Sequence, residues 1–224
     1  EVDREGLAIG PGTRLLVATT NPGKQREHRR LLAPLALEVV EPADLGLTLE
    51  VAETGETFAA NATLKARAFA AASGLVALAD DSGLEVDALG GQPGVVSSRW
   101  VAGGDEARVA ALLARLDGVP MPRRSARFRS VAALAWPDGE LMTAEGSVEG
   151  RIALAPRGTG GFGYDPVFLV EDAGQSGDRT MAELTAGEKD ALSHRARAVW
   201  GLWAALESLV VGGRVPGAAA DRGL

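Results

Sequence analysis

The fold can be read outward from one stretch, Leu15-Leu16-Val17-Ala18-Thr19-Thr20-Asn21-Pro22-Gly23-Lys24. Its four apolar residues end in a polar turn, and a charged, leucine-bearing segment follows as far as Leu32. This order predicts a strand, a tight turn and a helix. The turn offers hydroxyls, an amide, free backbone N–H groups, a helix N-terminus and an ammonium group, which are the parts of a phosphate-binding site. An ordinary capped turn is the alternative, and on this segment alone it is favoured.

Further along the chain, helical and strand patterns alternate. Residues 57–73 have apolar residues at helical spacing, and this places Asn61 and Lys65 together on another face of the predicted helix. Residues 75–79 form an apolar run that predicts a buried strand, whose end delivers Asp80-Asp81-Ser82-Gly83 into a loop. An amphipathic helix is predicted over residues 105–116, and residues 119–124 are expected to connect two lobes.

The clearest antiparallel signal is a hairpin. Residues 128–136 and 141–148 flank Pro137-Asp138-Gly139, a sequence that favours chain reversal. A last helix is predicted from Thr185, where Thr185 and Glu188 fit a capping box, to about Leu209. Helices that alternate with strands around one central hairpin indicate an α/β protein with a mixed sheet. We expect a flexible extension over residues 1–13, a single domain of two lobes over 14–211 and a disordered tail over 212–224.

Composition excludes several classes of function. The 224 residues are 46% hydrophobic, which is enough for a sizeable core, and no run approaches the length that crosses a bilayer. A net charge of -7 argues against nucleic-acid binding, which needs a broad cationic surface. We therefore expect a cytoplasmic protein with neither membrane nor nucleic-acid partners. The chain has no cysteine and two histidines, so any metal ligands are expected to be mainly oxygen atoms.

Two carboxylates are candidates for a magnesium site. Neighbouring residues of a strand point to opposite sides, so only one of Asp80 and Asp81 is expected to face a given ligand. Mg²⁺ prefers one or two carboxylates together with substrate phosphates, and Glu53 is the best second candidate. The alternatives are that the aspartates cap the following loop and that Glu53 is an acid near a helix N-terminus.

A glycine-rich loop and a basic helix are candidates for nucleotide binding. Residues 158–163, GTGGFG, match a dinucleotide fingerprint in letters only, because Tyr164-Asp165-Pro166 follows where a helix is required. Phe162 and Tyr164 near the loop tip could stack on a base while Asp165 accepts a ring N–H; a hairpin loop with two packed aromatics is the alternative. Lys189, His194 and Arg195 could donate to phosphate or to a 6-oxo group, or form a solvated helix face.

Taken together and in order, these segments resemble the RdgB/HAM1 family of inosine/xanthosine triphosphate pyrophosphatases. The matching stretches extend from Ala18 to Ala198 and are ATTNPGK (18–24), ETGETFAANATLKA (53–66), LADDSGLEVDALGGQPGVVSSRW (78–100), GRIALAPRGTGGFGYDPVF (150–168) and TMAELTAGEKDALSHRARA (180–198). Any one of these segments would be a weak signal, whereas all five together are specific.

The resemblance implies an elongated fold of two lobes around a central cleft, Mg²⁺ dependence and a homodimer. It further implies that residues 19–24 hold the triphosphate, that Glu53 and Asp81 bind metal, and that Asp81 is the proton acceptor. The residues implied to contact the nucleotide are Ser82, Phe162, Gly163, Tyr164, Asp165, Lys189, His194 and Arg195. Many members carry Gly where this chain has Thr20, although Thr also occurs there.

The expected reaction is hydrolysis of ITP, dITP and XTP to the nucleoside monophosphate and pyrophosphate. A water molecule activated by Asp81 would attack the α-phosphorus. The charge on the departing pyrophosphate would be neutralised by Mg²⁺, Lys24 and the helix N-terminus. Two alternatives stay open, a pyrophosphatase for other modified nucleotides and a nucleotide-binding module without catalytic activity.

Overall fold

The structure is a computed structural model that describes residues 13–171 and 179–211. The extension predicted over residues 1–13, apart from Thr13, and the tail predicted over residues 212–224 lie outside this range. Within the described residues, none of the helices has both the length and the apolar character needed to cross a membrane.

A six-stranded mixed sheet forms the centre of the fold, with the strand order β2-β1-β3-β4-β5-β6. The first three strands in that order are parallel to one another, and β3 to β6 are joined antiparallel. The strands are β1 (Arg14–Val17), β2 (Glu38–Val40), β3 (Val76–Val86), β4 (Ser125–Ala135), β5 (Leu141–Ile152) and β6 (Phe168–Val170). The predicted α/β class with a mixed sheet and a central hairpin is confirmed.

Helices cover both faces of the sheet. They are α1 (Pro22–Leu32), α2 (Phe58–Ser73), α3 (Asp105–Arg115), α4 (Ala186–Leu192), α5 (His194–Gly201) and α6 (Trp203–Val211). Alternate residues of the strands pack on different helices: Leu15 and Val17 belong to the cluster with α1, α5 and α6, whereas Leu16 packs with α2. A third cluster joins the far end of the hairpin to α3. The division into two lobes stays a prediction.

Strand β3 is longer than its sequence indicated. The prediction that residues 80–83 form a loop is wrong, because β3 continues to Val86 and pairs with β4 from Ala77↔Ala135 to Val86↔Ala126. Asp80 and Asp81 are therefore strand residues with buried side chains. Their burial is possible because cationic side chains from other elements contact both carboxylates.

The predicted single C-terminal helix is also wrong. Ser193 has an extended backbone with ψ 155°, and its hydroxyl accepts a hydrogen bond from the Ala196 N–H, so it ends α4 and caps α5. Serine favours such a cap because its short side chain competes with the helical hydrogen bonds. A further break at Leu202 separates α5 from α6. The capping box of Thr185 and Glu188 is confirmed at the start of α4.

Candidate active site

The turn over residues 19–24 joins β1 to α1 at one wall of a cleft. Asn21 caps the helix, since its side-chain oxygen accepts from the N–H groups of Gly23 at 2.8 Å and Lys24 at 3.1 Å. The Thr19 hydroxyl accepts from the Asn21 N–H at 3.2 Å. The predicted alternative of a capped turn is therefore confirmed. The same turn also faces a cleft, which a phosphate-binding site would require.

The cleft has a volume of about 700 Å³ and brings together segments far apart in the chain. It is lined by the turn at residues 19–21 and Lys24, by residues 47–51, and by Glu53, Lys65, Asp81 and Ser82 among others. Most of these polar side chains were predicted site residues, and the sheet places their segments side by side. Lys65 had been noted only for the helix face it shares with Asn61.

Glu53 and Asp81 meet at one cation, the ammonium group of Lys65. The Lys65 Nζ lies 2.8 Å from Glu53 Oε1 and 3.4 Å from Asp81 Oδ1. The Asn61 amide donates to Asp81 Oδ2 at 3.2 Å, and Arg99 Nη1 donates to Glu53 Oε2 at 2.7 Å. Helix α2 therefore presents Asn61 and Lys65, four residues apart, to the acid of β3.

The two carboxyls of this pair have opposite pKa shifts. Burial raises the pKa of Asp81 above its ordinary value, and Lys65 and Lys24 offset this only in part. Burial acts in the same direction on Glu53, but hydrogen bonds and charge from Lys65 and Arg99 hold its pKa below the ordinary value. The raised pKa strengthens Asp81 as a proton acceptor, whereas the lowered pKa weakens Glu53 in that role.

The chemistry of this pair fits Mg²⁺. All the candidate ligands are carboxylate oxygens, and Mg²⁺ is typically bound by one or two carboxylates that are completed by water and substrate phosphates. Among the described residues there is no group of three or more His, Cys, Asp or Glu side chains that could enclose a metal by itself. Water or substrate oxygens would have to complete the coordination of a cation held by Glu53 and Asp81.

Asp80 points to the opposite side of β3, as strand geometry requires. Its carboxylate lies 3.0 Å from Lys24 Nζ, 3.1 Å from His28 Nε2 and 3.0 Å from Arg195 Nη2. Arg195 and Lys24 lower the Asp80 pKa well below the ordinary value in spite of burial. Asp80 therefore stays ionised and fixes Lys24 between the turn and the strand.

A second buried acid, Glu27 on α1, joins the two predicted cations of the C-terminal helices. Glu27 Oε1 lies 2.7 Å from Lys189 Nζ, and Glu27 Oε2 contacts Arg195 Nη1. Lys189 Nζ is also 2.5 Å from Asp165 Oδ2. The alternative of a solvated basic face is wrong for Lys189, His194 and Arg195, all of which are buried.

The glycine-rich loop closes over these cations. The Phe162 ring centre lies 5.1 Å from Lys189 Nζ and 5.6 Å from Arg195 Cζ, both within the range of cation–π contacts. The loop is held by the Gly163 N–H, which donates to Asp105 Oδ2 at 2.6 Å, and by the Phe162 N–H, which donates to Asp165 Oδ2 at 2.9 Å. These contacts hold the Phe162 ring against both cations.

Tyr164 and His194 are placed differently from Phe162. Tyr164 fits the alternative of a packed aromatic, because its ring is buried and its hydroxyl donates to the Ser97 carbonyl at 3.0 Å. His194 stacks on Phe128 with ring centres 4.8 Å apart, and its Nδ1 has no hydrogen-bond partner among residues 13–171 and 179–211. Burial and the charge of Arg195 lower the pKa of His194 well below the ordinary value, so its imidazole is neutral.

The sequence profile of the Ham1 family matches residues 15–205. The chain belongs to the Ham1 family. It is 55% identical over 189 residues to the dITP/XTP pyrophosphatase of Symbiobacterium thermophilum, covering 83% of this chain and 91% of that protein. It is 47% identical over 195 residues to the Bacillus subtilis dITP/XTP pyrophosphatase, covering 86% and 96% of the two chains.

Solved structures of Ham1 proteins have the same fold. The Staphylococcus aureus Ham1 protein superposes with a TM-score of 0.75 at 38% identity, covering 87% of this chain and 98% of that one. The nucleoside-triphosphatase/dITP/XTP pyrophosphatase of Mycobacterium abscessus gives a TM-score of 0.66 at 48% identity, covering 84% and 98%. The predicted family and fold are confirmed, and the chain is an enzyme of this pyrophosphatase family.

Several residues of this Ham1-family site were missed from the sequence. Glu27, His28 and Arg99 were not recognised, and Lys65 was not assigned a role. Glu27 and His28 precede Leu31 by one helical turn, so they lie on the buried face of α1. Charged residues on a face that also carries core leucines were the signal available in the sequence.

Proposed function

We propose that this protein hydrolyses non-canonical purine nucleoside triphosphates, namely ITP, dITP and XTP, to the monophosphate and pyrophosphate. The observation that carries the proposal is the approach of Glu53 and Asp81 to one cation, Lys65, in a cleft whose facing wall is the turn at residues 19–24. The relatives named dITP/XTP pyrophosphatase support the same substrate class.

The triphosphate would lie along the turn. The backbone there begins a helix, whose N-terminus attracts anions, and Lys24 adds a full positive charge. Asp80 Oδ2 lies 3.0 Å from Lys24 Nζ and fixes this ammonium beside β3, and the Lys24 side chain also lines the cleft. The Ser82 hydroxyl, which lines the cleft and accepts from Arg195 Nη2 at 2.8 Å, would contact the substrate next to the reacting phosphate.

Glu53 and Asp81 would hold the magnesium ion. When bound, Mg²⁺ supplies positive charge that offsets the charge gathering on the phosphate oxygens and the departing pyrophosphate. Asn61 fixes the orientation of Asp81 through its Oδ2, and Arg99 fixes Glu53 through its Oε2. These contacts leave Oδ1 and Oε1 on the side where both carboxylates approach Lys65.

Asp81 would accept the proton of the attacking water as it adds to the α-phosphorus. Its pKa is raised by burial, which increases its basicity relative to an exposed aspartate. Phosphoryl chemistry depends mostly on positioning and charge stabilisation, and Lys24, Lys65 and the helix N-terminus provide both around this carboxylate.

The base would be read by donors beneath the glycine-rich loop. Lys189 and Arg195 are held by Glu27 but carry more N–H groups than their acidic partners occupy, so donors are left for a 6-oxo group. An adenine amino group at that position would leave these buried donors unpaired, which is costly. Phe162 would stack on the base once its ring moves from the two cations.

A substrate panel tests the proposal. Pyrophosphate release, coupled to an inorganic pyrophosphatase, is measured for ITP, dITP, XTP, modified pyrimidine triphosphates and the four normal ribonucleotides in the presence of Mg²⁺. We expect release from the first three at rates well above those for ATP and GTP. Comparable rates with ATP and ITP would contradict the proposal that Lys189 and Arg195 select a 6-oxo purine. Release only from modified pyrimidines would favour a different pyrophosphatase, and no release from any nucleotide would favour a binding module.

We also propose that the protein acts as a homodimer in the cytoplasm, as the family resemblance implies. Light scattering during gel filtration should give a mass of two chains. A mass of one chain at micromolar concentration would contradict the dimer.

A further inference from the structure

Every carboxylate oxygen of the acid pair has a donor within the protein. Glu53 Oε1 and Asp81 Oδ1 face Lys65, Glu53 Oε2 accepts from Arg99, and Asp81 Oδ2 accepts from Asn61. Two negative groups are thus matched by two positive ones. The site is balanced in charge and in hydrogen bonds before any further cation is considered.

A divalent cation would need the oxygens that Lys65 contacts. Mg²⁺ binds at about 2.0–2.1 Å from its oxygen ligands and tolerates little distortion, so it cannot share this position with an ammonium group. The Lys65 side chain is only 13% exposed, so a displaced ammonium would stay close to the incoming ion. Repulsion between the two would then weaken binding.

A triphosphate removes this obstacle. Its oxygens are negatively charged, and the cleft that contains Lys65 also contains the turn at residues 19–21 and Lys24. An ammonium that leaves Glu53 and Asp81 can therefore pair with phosphate in the same cleft. The cation then neutralises the acids that Lys65 leaves, and the phosphate neutralises the displaced ammonium. Each ligand therefore stabilises the binding of the other.

We propose that Lys65 closes the Glu53–Asp81 pair to a free divalent cation, so that the cation binds together with the triphosphate. This rests on the proposed function, since it takes Glu53 and Asp81 as the cation ligands. Lys65 is the residue responsible because it contacts both acids, whereas Arg99 contacts only Glu53 and its side chain is 44% exposed.

The test uses Mn²⁺ alone, without nucleotide, and follows its binding to the full chain by electron paramagnetic resonance. Lys65→Met should bind Mn²⁺ about 10-fold or more tightly than the wild type, because a competing charge is removed. Arg67→Met is the matched control: Arg67 is exposed on the same helix, and its loss changes the net charge equally. This control should bind Mn²⁺ like the wild type. A role for Lys65 in packing alone would not tighten metal binding.

Lys65→Gln, which keeps a donor but no charge, provides a second variant in case Lys65→Met does not fold. In either background, Glu53→Gln should remove the gain, which locates the Mn²⁺ at the acid pair. Mn²⁺ binding by folded Lys65→Met or Lys65→Gln that is no tighter than in the wild type would overturn the proposal. The proposal would also be overturned if Arg67→Met tightened Mn²⁺ binding equally, or if the gain in Mn²⁺ affinity persisted after Glu53→Gln.

The wild-type substrate panel keeps the two hypotheses apart. Pyrophosphate release from ITP with unchanged Mn²⁺ binding in the Lys65 variants would contradict only the inference about Lys65. No release from any nucleotide would contradict the proposed function whatever the Mn²⁺ result.

Discussion

Glu27 Oε1 lies 2.7 Å from Lys189 Nζ, although the two residues belong to helices at opposite ends of the chain. The second oxygen of Glu27 contacts Arg195, and all three side chains are buried. Helix α1, which begins at the turn proposed to bind phosphate, is thereby fixed to the cations proposed to read the base. One acid thus couples two parts of the site, and its charge should matter for stability.

The contacts of Glu27 with Lys189 and Arg195 predict a loss of stability at acidic pH. Burial alone would raise the pKa of Glu27, but Arg195 and Lys189 lower it from 4.5 to about 2. The pKa of Glu27 is lower in the folded protein than in the unfolded chain. The ionised carboxylate therefore contributes fully to the free energy of unfolding above about pH 4.5, and this contribution is lost as the pH falls toward 2. A shift of this size corresponds to roughly 3 kcal/mol.

Urea unfolding between pH 7 and pH 3 measures this effect. Glu27→Gln should be less stable than the wild type by about 3–5 kcal/mol near neutral pH, since two buried cations lose their acid. The difference should shrink as the pH falls below about 4.5. Glu171→Gln, which removes an exposed partner of Arg151, should cost at most about 1 kcal/mol. A constant difference for Glu27→Gln across this range would contradict the prediction.

Asp81→Asn should separate activity from stability. Loss of the proton acceptor should lower kcat/KM for ITP by about 100-fold or more. The folded protein should be as stable as the wild type or more stable near neutral pH, because the raised pKa of Asp81 means that its charged form opposes folding. Steady-state kinetics and urea unfolding of the same preparation measure both effects.

Asp87→Asn is the control for Asp81→Asn, because Asp87 follows β3 and pairs with Arg127 on the exposed side of the sheet. It should keep the activity of the wild type. Asp81→Asn with undiminished turnover would reject Asp81 as the proton acceptor.

The elements that the sequence predicted correctly depend on local chemistry. Asn21 and Pro22 begin α1, and Pro137-Asp138-Gly139 reverses the hairpin, as neighbouring residues alone suggest. The predicted strand ended before Asp80, because Asp80 and Asp81 disfavour a buried strand unless distant partners neutralise their charges. Those partners are at positions such as 24, 65 and 195, and no local pattern reveals their approach.

The same limit applies to the site. Segments around residues 19–24, 53 and 81 were recognised as candidates because each combines a turn or strand end with suitable chemistry. Glu27 was missed because its role depends on Arg195, which is 168 positions away in the chain. The packing of Tyr164 was left open because an aromatic residue in a glycine-rich loop suits an exposed ring and a buried one equally, and its partner Ser97 is 67 positions away.

The packing of α5 on β5 depends on a residue without a side chain. A Cβ at Gly146 would overlap the His194 carbonyl oxygen and lie 2.5 Å from the Ala198 nitrogen. Gly146→Ala should therefore destabilise the protein by about 1–3 kcal/mol, since backbone must move. In the part of the chain that the structure describes, no atom beyond the neighbouring residues and the backbone of α4 lies within 4 Å of such a Cβ at Gly187, so Gly187→Ala should be neutral or stabilise by up to about 1 kcal/mol. Thermal and urea unfolding compare the two, and equal effects would contradict this account of the interface.

The contact of Gly23 with Phe162 predicts coupling between the turn proposed to bind phosphate and the loop proposed to bind the base. A Cβ at Gly23 would lie 2.5 Å from Phe162 Cδ1, so Gly23→Ala must displace the ring. We expect the variant to raise KM for ITP several-fold, and Phe162→Ala to raise it as well by removing the stacking surface. Both variants should unfold at urea concentrations close to the wild-type value, because neither Gly23 nor Phe162 belongs to the three hydrophobic core clusters.

A double-mutant cycle on kcat/KM decides whether the two effects share this contact. With Phe162→Ala already present, Gly23→Ala has no ring to displace and should add little, giving a coupling energy of about 0.5–3 kcal/mol. Two effects that simply multiply would show that Gly23 acts on the triphosphate alone. In that case the close approach of turn and loop would have no part in substrate binding, and the ring of Phe162 would reach the base independently of the turn.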